Sequence, residues 1–468
     1  MSELPIAANP GGHVMIADAA VEALRARLRG KLLRAGDAGY DDARTVWNGL
    51  IDHRPALIAR CAGAADVVAA VEFGREHGIL VSVKGGGHGV AGKAVSDGGL
   101  MIDLSPMRSI RVDPAGRTVR AEAGVLGRDL DHETQAFGLA TPVGTVSTTG
   151  IAGLTLGGGQ SWLGSKYGFA IDNLLSVDIV TADGILRTAS ATQEADLFWG
   201  IRGAGHNLGV ATSFEYRLHP VGPVLSGMVV HPLSEGVEVL RFYRDFTASQ
   251  PDELQTWAGI LTTPDGNAVV ALIPCYVGPI AEGERLLAPL RRFGKPLADT
   301  IGPMPYVAVQ QMFDPAFPPG RPTYWKTGLT NRIDDRVIAD TVEFARRVPS
   351  PHTVIIFAEL HGAYSRVGKT DTAYFHRDMQ YDLIALSVWT DRADSERNIR
   401  WTRDLFAAWE PHLASAAYVN DLGDEGEDRV RSAYGANYPR LAALKAKYDP
   451  TDFFRLNQNI TPLSPASA

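Results

Sequence analysis

Cysteine is scarce in this 468-residue sequence, which has only Cys61 and Cys275. The two lie far apart and outside any CxxC spacing, so we predict neither a disulfide framework nor a metal site. Isolated thiols suit a reducing compartment, and the first twenty residues lack the basic segment and apolar run of a secretory signal. We therefore expect a cytoplasmic protein.

An excess of positive charge is also absent, because 45 Lys and Arg side chains are set against 53 Asp and Glu side chains, for a net charge of -8. Without surplus cations to neutralise phosphates, nucleic acid is not an expected partner. Long apolar runs are missing as well, since Leu100–Leu104 and Val354–Phe357 stop far short of the roughly 18 residues that cross a bilayer. No membrane partner is expected.

The composition itself is typical of a globular protein, with 45% hydrophobic and 21% charged residues. Helical spacing of apolar residues predicts an opening helix over Ile16–Leu33 and another over Ala64–His77. Short β-rich runs such as Leu80–Val83 and Leu100–Leu104 follow. Together these patterns predict an α+β fold.

Turn signals and shifts in composition indicate the domain organisation. The Asp-Gly pair at residues 183–184 lies between two β-rich runs and predicts a β-hairpin. Composition changes near Pro220–Pro223, and the chain becomes helical again around Thr402. We therefore predict a first domain over residues 1–218, a second over residues 219–404 and a C-terminal segment over residues 405–468.

A glycine cluster, KGGGHGVAG, runs from Lys84 to Gly92 directly after a predicted strand. Successive glycines adopt φ values closed to other residues, so their N–H groups can converge on an anion such as a pyrophosphate. The cluster lacks the GKS or GKT of a Walker loop and the spacing of a Rossmann loop. On its residues alone, it fits a phosphate cradle and a plain mobile loop equally well.

A second cluster of small residues, GTVSTTGIAGLTLGGG, occupies Gly144–Gly159. Small residues let the main chain lie flat against a planar ligand, although a glycine-kinked core segment would have the same composition. Two further blocks follow, YGFAIDNLL over Tyr167–Leu175 and DLFWGIRGAGHNLGV over Asp196–Val210.

Taken in order, six blocks resemble the FAD-linked oxidases of the vanillyl-alcohol-oxidase superfamily. The blocks are KGGGHGVAG, LMIDLS, TPVGTVSTTGIAGLTLGGG, YGFAIDNLLSVDIVTADG, DLFWGIRGAGHNLGVAT and KYDPTDFFRLNQNI. They are most similar to the berberine-bridge-enzyme-like and 6-hydroxynicotine-oxidase-like bacterial branch, from about Arg54 to Ile460. Each block alone is a weak signal, whereas six in the family's order are specific.

This resemblance implies a two-domain PCMH-type FAD-binding fold. An inserted substrate domain, built on an antiparallel sheet with helices, would occupy residues 219–404. Residues 1–218 would form the first part of the FAD-binding domain, and residues 405–468 would return to it. The flavin ring would lie at the interface between the domains.

The resemblance also implies that His88 bonds the flavin 8α-methyl group. That chemistry requires a nucleophilic nitrogen held against an electrophilic carbon, which a rigid loop provides. Some family members have a second tether through a cysteine, and the matching position here is Val146. We therefore expect a single covalent link.

Other residues match the family's cofactor motifs and are predicted to contact FAD. These are Lys84, Gly85, Gly86, Gly87, Gly89, Gly92, Gly144, Thr145, Ser147, Thr148, Thr149, Gly150, Gly153, Leu154, Gly157, Gly158, Asn173, Gly209, Val210, Tyr418, Asn420, Asn457 and Asn459. In the tail, the amides of Gln458 and Asn459 match residues at the flavin edge, with a C-terminal turn as their alternative role.

The sequence departs from the family pattern at several positions. Gln160 and Ser161 replace an aromatic residue and a glycine, and Ser165 replaces an arginine. We expect altered flavin contacts there. His206 adds an imidazole to a glycine-rich block, where we favour a turn-capping role, and Asp421 follows the YxN motif where a tyrosine is common.

Tyr418, Glu359 and Lys326 are the candidate catalytic residues. A tyrosine or carboxylate beside the flavin could take a substrate proton as hydride leaves the adjacent carbon, and such help is worth about 10²–10⁴-fold. We rank Tyr418 first, because lysine and glutamate more often lie on solvated faces. A free tyrosine has a pKa near 10, so Lys326 is the candidate cation for stabilising a Tyr418 phenolate.

The function favoured by the resemblance is that of an FAD-dependent oxidoreductase. It would be an oxidase that removes hydride from a small alcohol, amine, sugar or natural-product intermediate, with molecular oxygen as second substrate and hydrogen peroxide as product. Alternatives are a flavin-dependent dehydrogenase, a tailoring oxygenase or cyclase, an NADPH-dependent reductase of related fold, and a non-catalytic flavin-binding protein. The substrate does not follow from the motifs, since one fold hosts many reactions.

Overall fold

The computed structural model describes residues 3–463 and shows a mixture of strands and helices, which confirms the α+β prediction. In chain order the strands are β1 (Glu3–Ala7), β2 (His13–Ala17), β3 (Lys31–Leu33), β4 (Leu57–Arg60), β5 (Val81–Lys84), β6 (Leu100–Asp103), β7 (Ile110–Asp113), β8 (Thr118–Glu122), β9 (Leu139–Ala140), β10 (Leu174–Val180), β11 (Leu186–Ser190), β12 (Val210–Arg217), β13 (His219–Pro220), β14 (Val224–Ser226), β15 (Val229–Pro232), β16 (Leu254–Thr262), β17 (Ala268–Tyr276), β18 (Ala298–Asp299), β19 (Gly302–Met304), β20 (Thr323–Thr330), β21 (Val354–Glu359) and β22 (Tyr381–Val388).

The α-helices are α1 (Asp18–Arg27), α2 (Tyr40–Arg44), α3 (Ala64–Glu76), α4 (Gly127–Gln135), α5 (Ile151–Gly157), α6 (Gly164–Tyr167), α7 (Ala195–Ala204), α8 (Gly236–Thr247), α9 (Ile280–Arg292), α10 (Tyr306–Gln311), α11 (Asp335–Ala345), α12 (Ser395–Trp409), α13 (Glu427–Tyr434) and α14 (Tyr438–Tyr448). Short 3₁₀ turns are Ala170–Asp172, Gly205–Asn207, Leu233–Glu235, Gly362–Ser365, Arg392–Asp394, Glu410–His412, Val419–Asp421 and Gly435–Asn437.

Two sheets form the N-terminal half. The first has the order β3–β4–β6–β5, with β6 parallel to both of its neighbours, and the second has the order β11–β10–β12–β8–β7. They share one hydrophobic core with the end of the chain, to which Tyr448, Phe453 and Ile460 belong. The C-terminal segment therefore packs against elements formed hundreds of residues earlier.

The second half is a nine-stranded antiparallel sheet with the path β18–β15–β17–β16–β21–β22–β20, to which β14 and β19 are added. Helices α8, α11 and α12 cover one face of it. The other face carries Trp257, Ile273 and Ala358 toward the first half of the molecule. The predicted antiparallel sheet with helices is confirmed.

The predicted domain boundaries stay a prediction. Every strand of the nine-stranded sheet lies between Val224 and Val388. The proposed boundary at residue 404 falls inside α12, whose buried face includes Leu405 and Trp409 and packs on that sheet.

The opening helix is shorter than predicted. The stretch Ile16–Leu33 divides into the end of β2, helix α1 and strand β3. The chain turns at Gly30, where a Cβ would overlap Arg60 O, and the Asp66 carboxylate accepts hydrogen bonds from Arg29 N and Gly30 N at 2.8 and 2.9 Å. Helical periodicity could not show this tertiary contact. The hairpin predicted at residues 183–184 is confirmed by the antiparallel pairing of β10 with β11.

Across residues 3–463 we find no helix with the length and apolar character needed to cross a membrane. The same residues hold no group of three or more His, Cys, Asp or Glu side chains placed to bind a metal. Cys61 and Cys275 are both buried and free, and burial raises the pKa of the Cys275 thiol to about 12.

Candidate active site

A cavity of about 1090 Å³ lies between the glycine-rich loops and the nine-stranded sheet. Pockets for small molecules usually occupy about 300–1,000 Å³, so this cavity lies at the large end and suits a bulky ligand. One side, which we call the loop wall, comes from residues 85–94, 144–156, 206–211 and 454–458. The other side, the sheet wall, comes from side chains of β16, β17 and β20–β22.

Two glycine loops cross within the loop wall. Gly86 and Gly150 approach so closely that a Cβ on either residue would overlap the main chain of the other. Gly87 has a φ of 68°, in the left-handed region that favours glycine. The main-chain N–H groups of residues 86–89 donate to no acceptor within residues 3–463. The loop therefore offers a group of free donors, as an anion-binding nest requires.

His88 is held in this wall by three neighbours. Its Nε2 lies 3.1 Å from Thr148 Oγ1, and its Nδ1 lies 3.5 Å from Thr149 Oγ1. The ring stacks on Trp47 with 5.3 Å between centroids and 18° between planes. Burial lowers the pKa of His88 to about 4. The imidazole is therefore neutral at neutral pH, and a neutral ring keeps a nucleophilic lone pair on one nitrogen.

The C-terminal tail, residues 454–458, forms part of the loop wall, and its amide side chains hold it in place. Asn457 Nδ2 donates to His206 O and Phe454 O at 2.9 and 2.7 Å. Gln458 Nε2 donates to Leu422 O at 2.7 Å. Both residues line the cavity, but their amide nitrogens fix the main chain. For Gln458 this contact agrees with the alternative role in the C-terminal turn, and a contact with the flavin edge stays a prediction.

Most of the predicted cofactor residues do come together at the cavity. Those that line it are Gly85, Gly86, Gly87, His88, Gly89, Gly144, Thr145, Thr149, Gly150, Gly153, Leu154, Gly209, Val210, Tyr418, Asn420 and Asn457, with Val146 beside them. Those that do not line it are Lys84, Gly92, Ser147, Thr148, Gly157, Gly158, Asn173 and Asn459.

The residues outside the lining have other partners. Lys84 Nζ donates to Ala43 O at 2.5 Å, and Ser147 Oγ donates to Asp314 Oδ2 at 2.5 Å. Gly92, with a φ of 71°, sits where a Cβ would meet the side chain of a neighbouring isoleucine. These positions shape the loops from behind the cavity.

Asn173 and Asn459 likewise serve the scaffold. Asn173 Nδ2 donates to Tyr167 O and Phe169 O at 2.9 and 3.0 Å. Asn459 Nδ2 donates to Asp452 Oδ2 at 2.9 Å. Neither residue lines the cavity, and the amide nitrogen of each holds a nearby part of the chain.

Tyr418 is the one of the three predicted catalytic residues that the structure brings to the cavity. Its Oη accepts hydrogen bonds from Gly159 N at 2.7 Å, Asn420 Nδ2 at 2.8 Å and Gln160 N at 3.4 Å. Burial, followed by the charge of Asp421, raises the pKa of Tyr418 above its ordinary value, and the donors only partly offset this. Tyr418 is therefore a phenol at neutral pH, held rigidly by its oxygen.

The triple glycine at residues 157–159 makes this arrangement possible. A Cβ on Gly157 would overlap the Asn420 amide, and a Cβ on Gly158 would lie 2.9 Å from Tyr418 Cε2. Gly157 and Gly158 were predicted to contact the cofactor, and this stays a prediction. In the structure they leave the space that Tyr418 and Asn420 occupy.

The sheet wall is almost entirely apolar. Side chains that alternate along the strands face the cavity. They are Trp257, Leu261, Ile273, Trp325, Val354, Ile356, Ile384 and Leu386. Trp257 also packs against Trp162, with 4.6 Å between ring centroids. Such a surface suits a flat or apolar molecule rather than one covered in hydroxyl groups.

Glu359 and Lys326 do not line the cavity, which corrects our expectation for both. Side chains alternate between the two faces of a strand. Glu359 lies on the opposite face of β21 from the cavity-lining Ile356, and Lys326 lies on the opposite face of β20 from Trp325. The Glu359 carboxylate contacts His361 Nδ1. Lys326 Nζ pairs with Glu425 Oε2 at 2.8 Å, so its ammonium is already matched on the helix-covered side.

Sequence reasoning missed Asp382, a fully buried acid in β22. Gln160 Nε2 donates to Asp382 Oδ2 at 2.9 Å, which gives this departure from the family pattern a structural partner. The signal was present, because Asp382 is the single acid in the otherwise apolar or hydroxyl-bearing strand YDLIALSV. His206 also lines the cavity, and its buried Nδ1 has no partner within residues 3–463.

The loop wall fits FAD on its own geometry. The free N–H groups of residues 86–89 suit a pyrophosphate. The main-chain surface at Gly86 and Gly150 is one that a Cβ would fill. His88 presents a neutral imidazole in the same wall, and Val146 lines it without a thiol.

Comparison with known proteins agrees with this fit. The family described as FAD binding domain matches residues 55–190, and the family described as Berberine and berberine like matches residues 417–461. An FAD-linked oxidoreductase of Dictyostelium discoideum is 33% identical over 444 residues, which cover 93% of this chain and 95% of that protein. The (R)-6-hydroxynicotine oxidase of Paenarthrobacter nicotinovorans is 32% identical over 451 residues, which cover 93% of this chain and 97% of that protein.

Solved structures share the architecture. A 6-hydroxy-D-nicotine oxidase from Arthrobacter nicotinovorans matches with a TM-score of 0.86 at 30% identity, over 93% of this chain and 98% of that one. A chitooligosaccharide oxidase at 24% identity has the same fold, with a TM-score of 0.84 over 95% of this chain and 100% of that one. The PCMH-type fold predicted from the six sequence blocks is thereby confirmed, and the chain belongs to the berberine-bridge-enzyme-like family of FAD-linked oxidoreductases.

Proposed function

We propose that this FAD-linked oxidoreductase is an oxidase whose flavin is bound through one covalent link, to His88, and whose substrate is a small, largely apolar molecule. The placement of His88 carries the proposal. A neutral imidazole is fixed between two threonine hydroxyls and Trp47 in a wall that also holds free N–H donors. Val146 at the position of a second tether supports a single link.

FAD held in this site would supply a two-electron acceptor for a substrate hydride, with molecular oxygen as the final electron acceptor. The chain's own residues prepare that reaction. Thr148 and Thr149 orient the His88 ring, and the N–H groups of residues 86–89 hold the cofactor's anionic part. Tyr418, a phenol with its oxygen fixed by three donors, positions a substrate heteroatom rather than removing its proton.

The sheet wall supports an aromatic or otherwise apolar substrate, because eight of its lining side chains are apolar or aromatic. Burying such a molecule against this surface yields roughly 25 cal/mol for each Å² of apolar area removed from water. Since a similar protein is named (R)-6-hydroxynicotine oxidase, 6-hydroxynicotine is the first compound to test. A cytoplasmic location stays a prediction.

The tether is tested by acid precipitation of the purified protein followed by peptide mass analysis. We expect the flavin to remain on the peptide that contains His88, and His88→Ala should bind FAD only reversibly. Flavin released into the supernatant, or found on another residue, would contradict the proposal. Val146→Ala is the matched control, since it changes the same wall without touching the imidazole.

The oxidase activity is tested by anaerobic bleaching of the visible flavin absorption. We expect bleaching by at least one of 6-hydroxynicotine, 1-phenylethanol and 1-phenylethylamine, and none by glucose. Admission of air should restore the colour and release hydrogen peroxide. Restoration only by an added electron acceptor would make the protein a dehydrogenase, and bleaching by glucose alone would contradict the apolar substrate.

A further inference from the structure

Two carboxyl groups meet where the loop wall joins the sheet wall. Asp382 comes from β22 and is fully buried, whereas Asp421 ends the 3₁₀ turn Val419–Asp421 and lines the cavity. The two carboxyls lie within hydrogen-bonding reach of each other. Gln160 occupies one oxygen of Asp382, while the other oxygen, Oδ1, has no donor within residues 3–463.

Two carboxylates in contact cannot both be ionised in a buried place without a large electrostatic cost. Burial raises the pKa of Asp382 to about 6, with opposing effects from Gln160, Asp421 and Arg429. Burial, and then the negative charge of Asp382, raises the pKa of Asp421 well above its ordinary value. The pair therefore holds one proton at neutral pH and titrates as a unit.

The surroundings of the pair leave it singly negative. Arg429 is the cation that acts on Asp382, and it also lies 3.4 Å from Glu425, which in turn pairs with Lys326. The other titratable neighbours, Tyr418 and Tyr374, stay neutral because burial raises the pKa of each phenol. Within residues 3–463, Arg429 is the one cation among the groups that act on the pair.

We propose that the Asp382–Asp421 pair, acting through Asp421, accepts the proton of the substrate's O–H or N–H group. The inference rests on the proposed function. Asp421 is the one acidic residue among those that line the cavity in the described part of the chain. A lone aspartate with a pKa near 4 is a weak base at neutral pH, whereas a pair that shares a proton is a stronger one.

In this step the substrate loses one proton and one hydride. The substrate O–H or N–H bond breaks and its proton goes to the pair, which becomes neutral with two protons. The electrons of that bond form the new C=O or C=N bond, while the neighbouring C–H bond gives its hydride to the two-electron acceptor of the proposed function. The extra proton then returns to water, which restores the singly charged pair.

The shared proton can be measured without any substrate. The Asp131→Asn background is used, because Asp131 also holds a proton near neutral pH. Infrared spectra of this FAD-loaded protein at neutral pH should contain the C=O band of a protonated carboxyl that shifts in heavy water. The band should vanish in Asp382→Asn and in Asp421→Asn, because an asparagine amide can donate to the remaining carboxylate. Asp428→Asn, at an exposed position of α13, is the control and should keep the band. Persistence of the band in either active-site variant would show that burial alone holds the proton and would overturn the inference.

The base is tested by rapid anaerobic mixing with the panel compound that bleaches the wild type. Asp421→Asn should retain its flavin yet be reduced about 10²–10⁴-fold more slowly, and its rate should lose the rise with pH near 6 that the wild type shows. Unslowed reduction in Asp421→Asn would refute the base while leaving the proposed function intact. Loss of flavin from the wild type, or no bleaching by any panel compound, would instead overturn the proposed function, and the base with it.

Discussion

The two walls of the cavity are built in opposite ways. The loop wall uses the main chain of short, continuous glycine-rich segments, such as residues 85–89. The sheet wall uses alternate side chains from strands spread between β16 and β22. The first kind of surface depends on which residues lack a side chain, and the second depends on strand register. A substitution should therefore damage the two walls by different means, and matched pairs of variants can separate them.

The largest effect is expected where the two loops cross. Gly86→Val would place a branched side chain into the main chain of Gly150, and overpacking against rigid main chain costs more than the about 1–3 kcal/mol usual in cores. We expect protein without flavin, or no folded protein. Gly89→Ala is the control, because a Cβ there has nothing within 4 Å. Flavin content and Tm measure both, and normal flavin content in Gly86→Val would show that the loops do not meet as described.

In the sheet wall, the effect of a substitution should depend on which face of the strand carries the residue. Ile355 is buried against the helices, whereas its neighbour Ile356 faces the cavity. Ile355→Ala should lower the free energy of unfolding by about 2–5 kcal/mol. Ile356→Ala should lower it much less and should raise KM for the panel compound that is oxidised. Urea unfolding and steady-state kinetics measure the two effects. Equal losses of stability would mean that the register differs.

The same contrast explains what could be predicted from sequence. The residue identities of the glycine loops already indicate a main-chain surface. His88 and its flanking glycines do line the cavity, while their contact with FAD stays a prediction. Glu359 and Lys326 were not, because a shift of one position along a strand moves a side chain to the other face. Asp382 was overlooked because its partners, Gln160 and Asp421, lie far from it in sequence and meet it only in the folded chain.

The third prediction concerns Asp131, which lies at the contact between the two halves of the molecule. Asp131 of α4 is buried and accepts a hydrogen bond from Gln310 Nε2 of α10 at 3.0 Å. Burial raises the pKa of Asp131 to about 7, above the about 3.9 of an unfolded chain. The folded state thus binds this proton more tightly, and its contribution to stability is lost as the pH rises from about 4 to 7.

Asp131→Asn removes that titration. Relative to the wild type, the variant should gain up to about 1.4 kcal/mol per pH unit across this range, because its amide needs no proton to stay buried. Urea unfolding at a series of pH values gives the difference. A constant difference between the two proteins would indicate that Asp131 is ionised in the folded state.

The smallest effect is expected at Tyr418, which lines the cavity and whose Oη is held by three N–H donors. Tyr418→Phe keeps the ring but removes the acceptor of Gly159 N and Asn420 Nδ2. If Tyr418 positions the substrate, anaerobic flavin reduction should slow by about tenfold, or roughly 1.4 kcal/mol. A slowing of 10²-fold or more, as large as that of Asp421→Asn, would make Tyr418 the base that the sequence first indicated.

The tail gives the cavity an order of assembly. Phe454, Leu456, Asn457 and Gln458 line the loop wall, and the Asn207 side chain holds their main chain at Gln458 O and Ile460 N. At about 5–20 residues per second, His88 leaves the ribosome tens of seconds before these residues do. The loop wall is therefore complete only after the tail has been synthesised, and full enclosure of a flavin there would follow that point.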